Sequence, residues 1–96
     1  MNQQDKILKQ VVALTAAEKA LGALPDVDVD AIMQISAMVQ DLNSQLAVMG
    51  NPVNLPGISQ ADQASLQQAV DTLATAVRQS SGVNTIMAAA TALENV

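Results

Sequence analysis

Between Ala31 and Met49 the chain reads AIMQISAMVQDLNSQLAVM, and the apolar residues Ile32, Ile35, Val39, Leu42, Leu46 and Met49 recur at spacings of 3, 4, 3, 4 and 3. A repeat that alternates three and four keeps one stripe of a helix against a neighbour along its whole length, the seam of coiled-coil-like packing. Off that seam, polar groups are few. With Ile32 as heptad position a, Ala31, Met38 and Gln45 occupy g, Met33, Ala37, Ala47 and Val48 fall on outer positions, and Asp41 is the only charge in the stretch. A helix with methyl groups on most sides is expected to be surrounded by other helices. This stretch is therefore expected to be the element around which the rest of the chain is organised.

What surrounds it must be built without large side chains. Half of the 96 residues are hydrophobic, yet Phe, Tyr and Trp are absent. An aromatic ring buries about 150–250 Å², so a core without any is assembled from many thin contacts, which suits close helix packing. The 17 alanines and 11 glutamines agree, both being good helix formers. A chain of this length makes one domain, residues 1–96, and buries only about 60–65% of its unfolded surface. Partner chains would relieve the strain of enclosing a central helix.

Helical patterns divide the chain into three to four helices, at about 3–21, 30–49, 59–80 and 83–95. The first carries Ile7, Val11, Leu14, Ala17 and Leu21 on one stripe, with Leu8 and Val12 broadening it. Gly22, as a left-handed cap, and Pro25, which cannot continue the hydrogen-bond ladder, end it. The second helix is expected to begin at Asp30 as N-cap, with Asp26 and Asp28 adding negative charge at the positive end of the helix dipole. After Gly50, NPVNLPGIS excludes regular structure, and its Val53, Leu55 and Ile58 either close the end of the bundle or contact a neighbour. Ser59, three residues before Asp62, resembles a capping box opening the third helix, whose stripe is Leu66, Val70, Leu73 and Val77. Ser80-Ser81-Gly82 breaks or bends it. The last segment places Val83, Ile86, Ala90 and Leu93 on one stripe and is nearly free of polar surface until Glu94. Periodicity alone does not say whether it docks on its own chain or on another.

Several chemistries are excluded by composition. Cysteine and histidine are absent, removing thiolate and imidazole catalysis, disulfides and the commonest zinc ligands. There is no glycine-rich phosphate loop, and no serine or threonine has a histidine to activate it. The alternating Asp26, Asp28 and Asp30 open like a calcium loop, but the sixth position is Ala31 rather than Gly and the twelfth is Ala37 rather than Glu. Capping accounts for them without a metal. No cofactor and no catalytic residue is expected.

The net charge of −5 is unevenly placed: residues 1–22 carry Lys6, Lys9 and Lys19 against Asp5 and Glu18, and the rest carries Arg78 against seven acids. Nucleic acid and anionic membranes, which need clustered basic residues, are disfavoured as partners. The same asymmetry either keeps an acidic surface solvated or sets the first helix of one copy beside the acidic face of another. The start MNQQDKILKQVV lacks the apolar run of a signal peptide, and no segment approaches a membrane span of roughly 20 apolar residues. Cytoplasmic synthesis is the expectation, with incorporation into a virion or another particle open.

These features point to an all-α, non-enzymatic assembly protein that forms homo-oligomeric helical contacts, as a small virion or capsid-decorating component would. Its partners would be itself and other proteins of the assembly. An acidic helical adaptor or chaperone-like module that binds a partner helix, and a secreted helical filament subunit, are the alternatives. The packing seam is Ile32, Ile35, Val39, Leu42, Leu46 and Met49, and the candidate oligomer interface is Met33, Ala37, Val48, Ile86, Met87 and Leu93.

Overall fold

The structure, a computed structural model, describes residues 3–49, 57–79 and 82–96, apart from the side chain of Met49. Its elements are four helices: α1 (Gln3–Gly22), α2 (Val29–Met49), α3 (Gln60–Arg78) and α4 (Val83–Glu94). The all-helical bundle and its segmentation follow the sequence pattern to within two residues at each end. Val53 and Leu55 lie outside the described residues, while Ile58 is buried just before α3.

The arrangement differs from the expected one in which helix is central. It is α1, not α2, that packs against all three of the others. α4 likewise touches α1, α2 and α3, whereas α2 and α3 make no contact among the described residues. Four axes connected in this way form a rhombus, with α1 and α4 across its short diagonal and α2 and α3 at its far corners. The extents of 45 × 25 × 15 Å have the proportions of such a section, since packed helix axes lie about 8–10 Å apart.

The reason α1 holds this position is legible in its side chains. Its buried residues are Ile7, Gln10, Leu14, Ala17 and Leu21, spaced 3, 4, 3 and 4. This is a heptad seam in which a glutamine stands where Val11 was expected to contribute. Val11 is half-buried beside it, and Leu8 and Val12 are exposed rather than broadening the buried stripe. Facing this seam are Ala31, Ile35 and Leu42 of α2, Leu66, Leu73 and Ala76 of α3, and Ile86, Ala89, Ala90 and Leu93 of α4, all in one core cluster. Ala17 and Ala90 are both fully enclosed. Small residues at the centre let the axes approach closely, which compensates for the missing aromatic volume.

Gln10 solves a problem that the bundle creates. The last carbonyls of α4 lack the usual i+4 donors; the carbonyl of buried Leu93 accepts a longer backbone bond, from the Val96 N–H at 3.3 Å. The Gln10 side-chain amide donates to the Leu93 carbonyl at 2.9 Å and lies 3.5 Å from that of Glu94. Among the described residues no buried side-chain nitrogen or oxygen lacks a hydrogen-bond partner.

The helix ends bring two corrections. The N-cap of α2 lies two residues earlier than expected: the Asp28 carboxylate accepts the Ala31 N–H at 3.1 Å, and the Asp28 carbonyl accepts the first helical bond, from Ile32, at 3.1 Å. Asp28 is therefore the N-cap, and Asp30 lies inside the first turn. Gly22 is the last residue of α1 and does not take up a left-handed conformation. The chain leaves instead through tight three-residue bonds from Ala23 to Ala20 and from Leu24 to Leu21. Ser59 caps α3 as expected, its hydroxyl accepting the Asp62 N–H at 3.1 Å. Gly82 is the N-cap of α4 in extended backbone.

Candidate interaction surface

α2 occupies a far corner of the rhombus, where α1 and α4 cover it from one side only. Ile35 and Leu42 of the expected seam are buried, and Ile32, Val39 and Leu46 are half-buried against the core. Met49 ends the helix, with its side chain outside the described residues. The centre of the covered face is shifted toward the g positions, since Ala31 is buried and Met38 is half-buried, although Gln45 is exposed. The opposite face is open. Met33 is 63% exposed, Val48 is 88% exposed, and Ala37 is exposed between them. Polar groups on this side turn inward on their own helix: the Ser44 hydroxyl donates to the Gln40 carbonyl at 3.0 Å, and the Gln45 amide donates to Asp41 at 3.3 Å.

The other half of the expected interface is not on the surface. Ile86 is 1% exposed and Leu93 is 0% exposed, both within the chain's own core, and Met87 is half-buried against it. The terminal helix docks in cis, so Ile86 and Leu93 are withdrawn as contacts for a second copy. The physical reason is that α3 and α1 together offer a complete apolar surface, on which the most apolar helix of the chain finds its place, chiefly against α3.

Two further surfaces were not foreseen. On α1, Leu8 is 45% exposed and Val12 is 69% exposed, with Thr15, Ala16, Lys9 and Lys19 exposed around them. The signal was present in the sequence: both apolar residues lie off the 3–4 repeat through Ile7, Leu14 and Leu21, but the repeat is visible only if Gln10 is allowed into it. Between α3 and α4 runs a shallow open groove whose lining includes Ala64, Ala76, Ala88, Ala89 and Ala92 together with Asp71 and Thr72. The polar side chains on α3 here are also engaged locally, Gln67 with Asp71 at 2.9 Å and Thr72 with the Gln68 carbonyl at 2.8 Å.

Comparisons with protein-family models, with curated proteins and with solved structures find no match. The surface must therefore be read from its own chemistry. Asp26, Asp28 and Asp30 are exposed, and among the described residues no group of three or more acidic side chains is gathered closely enough to hold a metal ion. No helix among the described residues is long and apolar enough to cross a membrane. What the molecule presents outward is helix face: methyl-rich with Asp30 and Asp41 on α2, methyl-rich with Lys9, Lys19 and Asp5 on α1, and small and polar over α3 and α4.

Proposed function

We propose that this protein is a non-enzymatic assembly subunit that binds further copies of itself through helix faces left open when its own core is complete. The observation that carries this reading is the outer side of α2, where Met33 and Val48 stand exposed on a helix without a single basic residue. Water contact at such side chains is costly, at about 25 cal/mol per Å² of apolar surface, and a neighbouring helix removes it. Particle subunits, such as a small virion or capsid-decorating component, are the kind of assembly that the aromatic-free, alanine- and glutamine-rich composition fits best. A secreted helical filament subunit belongs to the same class.

The groove between α3 and α4 supports a second reading, an acidic adaptor or chaperone-like module. The five alanines that line it permit close approach of a partner helix, and side chains already bonded within α3 need not be stripped of water partners to receive it. The readings part on the role of α2. In the first, the double substitution Met33→Lys with Val48→Glu dissociates the assembly while circular dichroism keeps its helical signal. In the second, the free protein is monomeric and the substitution changes nothing. Sedimentation velocity of both proteins at equal concentration separates the two outcomes.

A further inference from the structure

Once the core is formed, two exposed stripes of opposite charge remain, and we propose that the α1 stripe of one copy docks on the outer face of α2 of a second copy. This rests on the self-association proposed above and names its two surfaces. On α1, Leu8, Val12 and Ala16 follow one another at four-residue intervals, all exposed, with Lys9 and Lys19 toward either end and Asp5 one turn before Leu8, a net positive stripe. On α2, Met33 and Ala37 stand at the same interval, exposed, between Asp30 and Asp41, which are also exposed. Residues four apart form the ridges by which helices interlock. At 1.5 Å of rise per residue, the two lysines lie about 15 Å apart along their helix and the two carboxylates about 16.5 Å apart. Long lysine stems absorb that difference while covering apolar surface.

Charge selects this pairing over its competitors. No basic residue occurs between Lys19 and Arg78, so α2 offers the lysines nothing of like sign. Packing α1 on α1 would gather four lysines against two Asp5 carboxylates, and packing α2 on α2 would gather four aspartates with no cation. The α3–α4 groove presents Asp71 but no large apolar side chain, so Leu8 and Val12 would find little to cover them there. Where the α1 stripe and the α2 face of one copy engage two different neighbours, the contact is heterologous. A joined pair then keeps one free α1 stripe and one free α2 face, and the contact repeats into a ring or a chain; if both surfaces of one copy meet both of the same neighbour, it closes as a two-fold dimer.

The test uses two charge-reversed proteins, Lys9→Glu with Lys19→Glu and Asp30→Lys with Asp41→Lys, each checked for wild-type helicity and measured by sedimentation velocity at low salt. Each alone is expected to associate at least about tenfold more weakly than wild type, and an equimolar mixture is expected to recover the wild-type mass, since opposite charges again meet. Wild-type-like association by either protein alone, or a mixture of two helical proteins that stays dissociated, overturns the contact. So does loss of association on Asp71→Lys, which would place the receiving surface in the groove. A wild-type protein that is itself monomeric removes the self-association reading as well, whereas association that survives both reversals removes only the pairing named here.

Discussion

Gln10 is the residue on which the geometry of α1 depends. It stands on the seam between Ile7 and Leu14 and donates to the last carbonyls of α4, so one side chain both fills a core position and caps a helix 83 residues away in sequence. A buried polar group that loses its partner costs about 1–3 kcal/mol. Gln10→Ala is therefore expected to lower unfolding stability in urea by about 2–3 kcal/mol, from the lost bond and the space left behind. Gln10→Glu should be worse than the near-isosteric Gln10→Met, because a carboxylate would face the negative end of the α4 dipole. If methionine and glutamate prove equally tolerated at neutral pH, the capping role is wrong. Periodicity could not reveal this residue, since apolar pattern alone excludes a glutamine and advances Val11 in its place.

At the scale of single helices, most of the architecture was legible. Helix existence and extent followed from the 3–4 repeats, and Ser59 and Gly82 mark the starts of α3 and α4. The misses share a cause: local signals were ambiguous where several residues could do the same job. Three aspartates precede α2, and only hydrogen-bond geometry distinguishes the cap, Asp28, from Asp30. Asp28→Ala is expected to cost about 1 kcal/mol and Asp30→Ala at most a few tenths, as read from chemical denaturation. The reverse order would return the cap to Asp30. The apolar character of α4 could have served a neighbour or its own chain, and what resolved it, burial of Ile86 and Leu93 in the chain's own core, is a tertiary fact that no single segment contains.

The whole molecule inverts the order of importance that the sequence suggests. α2 has the more regular apolar repeat, but α1 and α4 are the helices that touch every other element, and the α1 seam is small at Ala17 and complete. α2 has the apolar surplus and sits at a corner, and for that reason its outer face is left over. That surplus is the basis for assigning the protein to assembly. The most direct test is the mass of the wild-type protein by light scattering across a concentration series into the high micromolar range. The account predicts a weight-average mass that rises well above the 9.9 kDa of one chain and falls again as salt is added, because screening weakens the lysine–carboxylate pairing. A constant 9.9 kDa at every concentration would contradict it.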